Sequence, residues 1–525
     1  MRLMLAASGW MVLANPLPAF ADGAMSAADW AIEKNQQLQS ANFNLKCGPL
    51  RIEDDDVVWP DFCRSISGAE LKTMILEDRA GPAGLRLRGV RILGKLDLSN
   101  AEIKHPVRIV ESRIDGAIDL RDAHLAGSLV LDGTVVAGRF DGNNLRALGD
   151  LTMKSGASFR GPIVLRDARV AGKLDMELST FEQYIDGAGL HVSDGLYMNY
   201  HSTFAGKIIL DYARIGGNLH MEHSKFRKMI TAEDLQVSQS MFIGASEFNS
   251  SIGLPFLTIS GKLDLSAGKF TSIDLSGASI GRELQLCNLP DAVEWSPLDN
   301  PPAMVLRDAR VLSLQNCSKS WPATLDLDGF HYDRLDVYDP NKPDPGAHSV
   351  EQWKEWLARN QYRGKPFNPE PYTYLAKVLA ASGNRDDALD LQFAARDGER
   401  ADAWETRNWV RWGWLCVLRW LCGYGIGLYT FIVILWVVGS VALGAAILVR
   451  APAARAKGVP WCIGCSLEKL LPIIELSREF GDFLNDPKRE RLRSWQIAFF
   501  SGFALWGWVL GLLLVAAMSG LTQTS

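Results

Sequence analysis

Residues able to carry chemistry are thinly spread through this chain. Eight histidines and eight cysteines are scattered over 525 residues, and no nucleophile, base and oxyanion donor fall together in a catalytic pattern. Charge of one sign is equally scarce: 55 Lys and Arg face 60 Asp and Glu, a net charge of -5. With 47% hydrophobic residues, that balance excludes both a disordered polyelectrolyte and a nucleic-acid binder. At about 150 residues per domain, the length allows about three domains.

Charged residues are missing altogether from three stretches. The first, Leu3 to Ala14, follows Arg2 and precedes Pro16, Pro18 and the triplet Ala19-Phe20-Ala21. That order of basic, apolar and small residues predicts a secretory signal peptide over residues 1–21. The other two, Ile426 to Val449 and Ser494 to Met518, exceed the roughly 20 apolar residues that cross a bilayer, so transmembrane helices are expected at 424–450 and 494–518. Arg450 and, in the loop 451–493, Arg455, Lys457, Lys488, Arg489, Arg491 and Arg493 flank these spans, whereas the tail 519–525 has no Lys or Arg. Positive-inside bias puts the loop in the cytoplasm and both flanks outside, in agreement with an exported N-terminal part. Neither span holds an ionisable residue and no potassium-type filter lies between them, which makes a selective channel a minor alternative.

The region between is governed by a period. Leu96, Val107, Ile118, Leu129, Phe140, Leu151, Ile163, Leu174, Ile185, Leu196, Ile208, Leu219, Ile230, Met241, Ile252, Leu263, Ile273 and Leu284 follow each other at about 11 residues, the mark of a repeat architecture. Within one unit, Leu96, Leu98, Ala101 and Ile103 are apolar or small, so each unit is two five-residue sides plus one corner residue. Inward residues two apart require strand geometry. Phe159, Phe181, Phe204, Phe226, Phe248 and Phe270 return only every second unit. Two units therefore make one coil of about 22 residues with four short sides, and the rings stack at about 4.8 Å along one buried corner. Residues 85–338 then form about 11 or 12 coils, a rod about 55 Å long.

Asn100-Ala101-Glu102-Ile103, Asp122-Ala123-His124-Leu125 and Asp167-Ala168-Arg169-Val170 resemble the A-(D/N)-L-x-x motif of pentapeptide-repeat proteins, although five- and six-residue units alternate here and Leu is rare at the motif's third position. The resemblance implies a mainly β fold, a right-handed quadrilateral β-solenoid. Most of the mature chain resembles a bacterial family labelled membrane-associated oxidoreductases. The resemblance rests on the solenoid, a helical hairpin containing Pro371-Tyr372-Thr373-Tyr374-Leu375-Ala376-Lys377-Val378, Gly423-Tyr424-Gly425, and Leu470-Leu471-Pro472-Ile473-Ile474-Glu475-Leu476. No residues here support a cofactor site for the oxidoreductase label, and no cofactor is expected.

Around the solenoid, residues 22–84 are expected to form a helical cap with helices at Ala27–Gln39 and Ala69–Leu76, because exposed coil edges must be covered. A Pro-, Asp- and Gly-rich linker occupies 339–349. Residues 350–423 are expected to be a helical adaptor, with helices at Val350–Asn360, Tyr372–Ala381 and Arg385–Arg400. Trp404, Trp409, Trp412, Trp414 and Trp420 precede the first span, where interfacial aromatic belts lie.

Four groups of candidate residues follow. In an exported protein, Cys47 with Cys63 and Cys287 with Cys317 are candidate disulfides. Trp461-Cys462-Ile463-Gly464-Cys465 resembles the W-C-x-x-C of thioredoxins, and a helix beginning at Ser466 would lower the thiol pKa; the loop is too short for a thioredoxin fold, so an incidental, structural or lipid-modified pair is the alternative. His201 and His223, one coil apart with His220 nearby, are candidate metal ligands, against the reading that they are polar rungs at a corner. Ser440-x-x-x-Gly444 and Gly507-x-x-x-Gly511 permit close helix approach in lipid, either between the two spans or in a homo-oligomer through Gly507 and Gly511. Interspersed acidic and basic residues on the solenoid argue against DNA mimicry. The expected function is a non-catalytic membrane-anchored scaffold presenting an extended surface to a protein or envelope partner, at the bacterial inner membrane with the solenoid periplasmic. The alternatives are a thiol-disulfide oxidoreductase using Cys462 and Cys465, and a subunit of an oligomeric pore.

Overall fold

A repeat of two five- and two six-residue sides closes into a coil, and the computed structural model of the chain contains about 12 such turns of parallel β-solenoid at about 22 residues per turn, followed by a helical C-terminal region. The structure describes residues 25–48, 61–77, 79–288, 291–296, 302–337, 349–362, 364–471, 476–484 and 493–518. The expected signal peptide, the linker up to residue 348 and the tail lie outside the described residues. Two compact units, Met1–Gln239 and Ser240–Ser525, divide the chain.

In the first unit each coil repeats three-residue sides whose first and third side chains point inward. Leu96, Ile118, Phe140, Ile163, Ile185, Ile208 and Ile230 pair in parallel from coil to coil, and all are buried. Two of the four corners turn through a left-handed residue. At one stand Asn100, Asp122, Asn144, Asp167, Gly189, Tyr212 and Asp234; at the other Glu111, Gly133, Ser155, Leu178, Tyr200 and His223. Asn, Asp and Gly tolerate positive φ with least strain, which accounts for their recurrence at the first corner. Asp97, Asp119, Asp141 and Asp186 brace that corner by accepting the N–H two residues on.

The phenylalanine stack forms as expected, but on a flat side in the third inward position: Phe159–Phe181 lies at 5.5 Å, Phe181–Phe204 at 4.9 Å and Phe204–Phe226 at 4.9 Å. The first inward position of that side is mostly a hydroxyl residue, Val90 and Ala157 being apolar exceptions. Val90, Ser112, Ala157, Ser179 and Ser202 each donate a backbone N–H to the hydroxyl of the next coil, on Ser112, Thr134, Ser179, Ser202 and Ser224 respectively. These buried hydroxyls satisfy amides that the turn takes out of the ladder.

The cap is more than helical. Helices α1 (Ala27–Gln36), α2 (Phe43–Cys47), α3 (Asp61–Arg64) and α4 (Gly68–Leu76) are joined by strands 41–42 and 65–67, which pair in parallel with 87–88 and 91–93. The first coil's open edge is thus covered partly by mimicry of a preceding coil. Ser67 and Glu70 form a capping box that starts α4.

In the second unit Phe248–Phe270 and Phe270–Trp295 continue the same kind of stack, at 5.1 and 5.6 Å. Three seven-residue strands, Ser279–Gln285, Arg310–Asn316 and His331–Val337, run through what elsewhere is a corner. The helical adaptor comprises α5 (Val350–Ala358), α6 (Glu370–Ala381), α7 (Arg385–Glu405) and α8 (Trp409–Cys422). It supplies what a further coil would have supplied: Leu325 N–H donates to the Arg359 carbonyl, Leu327 N–H to Asn360 Oδ1 and Gly329 N–H to Glu370 Oε2. Asp397 of α7 accepts from Arg419 at 2.7 Å and from Tyr424 at 2.9 Å, joining the adaptor to the left-handed Gly423-Tyr424 turn that ends α8. Beyond it come α9 (Ile432–Val449), α10 (Pro452–Arg455), α11 (Val459–Leu470), α12 (Arg478–Leu484) and α13 (Ser494–Met518). Tyr429–Val449 and Ser494–Leu512 are long and apolar enough to cross a membrane.

Candidate functional site

The cysteines fall into three distinct environments. Cys47 and Cys63 are joined in a disulfide across the cap, with Cα atoms 5.9 Å apart. Cys287 and Cys317 differ from the expected second disulfide: both are free and buried, and the Cys287 thiol hydrogen-bonds to Cys317. That bond holds the proton on Cys287 and makes Cys317 the easier thiol to ionise, aided by a 3.1 Å contact to Ser320 Oγ. They follow the insertion-bearing end of the solenoid, where coil stacking brings Gln285 and Gln315 into register just ahead of them.

Cys462 and Cys465 lie inside a helix rather than at its start. Pro460 in the first turn nucleates α11 seven residues earlier than the sequence suggested, so both sulfurs face inward at 0% exposure. Burial raises both thiols, Cys465 up to about 12. Thiol exchange needs an accessible thiolate, and this geometry supplies packing against α9 and α13 instead.

The histidines do not converge. His201 is an extra residue in its corner, so Tyr200 rather than His201 stacks on His223, at 6.5 Å. His220 stacks on Tyr197 at 5.1 Å and bonds Glu222 at 2.9 Å. Among the described residues no three His, Cys, Asp or Glu side chains are grouped to hold a metal. What the stack builds is a differentiated side of the coil. Lys154 and Lys173 both reach the buried Asp175, at 2.9 and 3.0 Å, and Lys173 lies 5.7 Å from the Tyr197 ring centre. Burial pushes the Glu222 carboxyl up, but His220 and Asn199 bonding to it leaves it below the ordinary range; Glu177 beside them is raised by burial.

The small residues of the spans serve α11. A Cβ on Gly444 would lie 2.1 Å from Ser466 Oγ, and one on Gly507 would lie 1.7 Å from the Leu470 carbonyl oxygen, while Gly511 faces open space. Ser440 Oγ accepts from Trp506 Nε1 at 3.1 Å. Gly507 is therefore filled from within the chain by the carbonyl end of α11, a helix between the spans that the sequence spacing does not mark.

Two features went unread in the sequence. One is a cleft of about 450 Å³ in the second unit, lined by Ser240, Lys262, Arg282, Glu283, Leu312 and Ser313, opened by the register shift between Ile280 and Glu283. The other is a buried ion cluster under the adaptor: Lys365 Nζ reaches Asp326 at 2.7 Å and Asp328 at 3.0 Å, with Asp326 1% exposed. Nothing in the local sequence marks Lys365, since its partners lie nearly 40 residues away on the last coil. Comparison with known proteins returns no match to any family model, curated protein or solved structure.

Proposed function

We propose that the chain is a membrane-anchored scaffold of the pentapeptide-repeat kind, related to the family labelled membrane-associated oxidoreductases but acting by binding. In this reading the N-terminal signal exports the solenoid to the periplasmic side of the bacterial inner membrane, α9 and α13 cross that membrane, and the coils present a pre-organised surface to an envelope protein. The observation that carries it is the adaptor. Its α5–α6 segment closes the last coil by hydrogen bonds and a buried ion pair, while Asp397 and Asp390 on α7 bond Tyr424 and Tyr429 at the start of the first span. A rigid mount between repeat and membrane suits a presented surface, because ordering costs are met before the partner arrives. Tyr197 with His220 and the paired Asp175 form the most differentiated side of the first unit, mixing aromatic and charged groups as binding surfaces do.

The test is site-specific photo-crosslinking in cells from Tyr197, Arg214, Lys225 and Thr231, one on each side of the coil. Adducts with the same protein from Tyr197 and its neighbours on that side, and none from the opposite side, would support the reading. Absence of adducts from all four sides would refute it.

A further inference from the structure

Helix α8 turns an apolar face outward. At about 100° per residue, Trp409, Val410, Gly413, Trp414, Val417 and Trp420 fall within an arc of about 140°. Val410 is 85% exposed and Trp420 71%, and Trp409 and Trp414 are more than half exposed. A helix facing water carries its charges on that side. Here α8 has no Asp or Glu, and its two arginines lie off the arc, Arg411 reaching Glu399 of α7 at 3.7 Å and Arg419 reaching Asp397 of α7 at 2.7 Å. The opposite face is packed: Leu415 sits in a cluster with Leu389 and Phe393 of α7, and Cys422 in another with Val433 of α9 and Leu510 of α13.

Two features identify what covers the arc. The first is continuity with the spans. Trp436 Nε1, one turn into α9, donates to the Trp420 carbonyl at 2.8 Å. That bond brings the exposed Trp420 beside the partly exposed Trp436 and joins the arc to the outer surface of the first span. The second is charge. Arg407, just ahead of α8, is exposed and has no ion-pair partner among the described residues, and Arg411 keeps half of its side chain in solvent. An apolar arc with guanidinium groups at one end matches acyl chains beside phosphate headgroups.

On the reading that α9 and α13 cross the bilayer, we propose that α8 lies in the plane of the leaflet at which α9 begins, its apolar arc among the acyl chains and Arg407 and Arg411 holding anionic phospholipid headgroups. A helix of this kind sinks its apolar face about 5–10 Å into the boundary between headgroups and chains. Fourteen residues make α8 about 21 Å long, a footprint that holds α7 to the membrane surface and keeps the adaptor from pivoting about the Gly423-Tyr424 turn.

The experiment uses the full chain in lipid vesicles, with one nitrobenzoxadiazole label on an introduced cysteine. Of the six free cysteines only Cys416 is not buried, so Cys416→Ala is the background. Val410→Cys and Val417→Cys report the arc, Val438→Cys an exposed position in the middle of the first span and Asn249→Cys an exposed position in the solenoid. In phosphatidylcholine vesicles, aqueous cobalt should quench positions 410 and 417 several-fold less than position 249. Doxyl lipid should quench both more strongly with the doxyl group near the headgroup than at mid-chain, and position 438 in the reverse order. In mixed vesicles, doxyl phosphatidylglycerol should quench position 410 more than doxyl phosphatidylcholine, and Arg407→Ala with Arg411→Ala should abolish the difference. Cobalt quenching at 410 and 417 equal to that at 249 overturns the proposal, and so does shielding from cobalt and doxyl lipid alike, which would place a second copy on the arc. Equal quenching by the two headgroups before the arginines are replaced overturns the anionic preference. A position 438 untouched by doxyl lipid overturns the membrane reading beneath the proposal.

Discussion

Replacing Lys365 by Met isolates the join between the last coil and the adaptor. Lys365 Nζ lies 2.7 Å from Asp326 Oδ1, and the two side chains are 8% and 1% exposed. At that distance and an effective dielectric constant of about 20, the pair attracts by about 6 kcal/mol. Removing the cation from a buried pair costs about 3–5 kcal/mol because the carboxylate stays behind. Arg307 still reaches Asp326 from the exposed side, so the expected loss for Lys365→Met is at the lower end, about 3 kcal/mol. The assay is urea-dependent proteolysis of the detergent-solubilised chain, with hydrogen exchange read at Leu325, Leu327 and Gly329, whose amides are accepted by the adaptor. Exchange there should accelerate about a hundredfold. Burial pushes the Asp326 carboxyl up most, but Lys365, the Asp328 N–H and Arg307 together outweigh it and leave the group below its ordinary value. Its contribution is therefore complete above the ordinary carboxylate value of about 4 and is lost as pH falls through the lower folded value. The gap between wild type and variant should close only in strong acid. A change below about 0.5 kcal/mol at neutral pH, within the range of an ordinary surface substitution, would refute the latch.

Phe204 is 1% exposed between two rings at 4.9 Å, so Phe204→Ala should cost about 4 kcal/mol, with the loss centred on its own and adjacent coils in hydrogen exchange. Ser202→Ala removes the acceptor of the buried Ser179 N–H and should cost about 1–3 kcal/mol, measured by the same urea titration. Reducing Cys47–Cys63, which are 16 residues apart, should weaken the cap by about 3 kcal/mol, seen as earlier proteolysis near α2 and α3 with reductant than without.

The period of apolar residues made the coils legible because every inward position repeats, and so did the phenylalanine stack. Both ends of the solenoid were less readable, since capping is done by non-repeating partners: Ala41 and Ser65 strands at one end, Asn360, Lys365 and Glu370 at the other. One extra residue, His201, was enough to exchange the expected His201–His223 stack for Tyr200 on His223. Likewise Pro460 moved the helix start and turned Cys462 and Cys465 inward, a change that rests on contacts with α9 and α13 which spacing does not encode.

The most direct test of the membrane-anchored scaffold is the sidedness of the chain in cells with a permeable outer membrane. Asn249→Cys in the solenoid and Asn485→Cys in the loop would be exposed to an impermeant thiol reagent, in a background whose free cysteines are replaced. Labelling at position 249 and protection at 485 is the predicted result. The reverse pattern would put the solenoid in the cytoplasm and contradict the account.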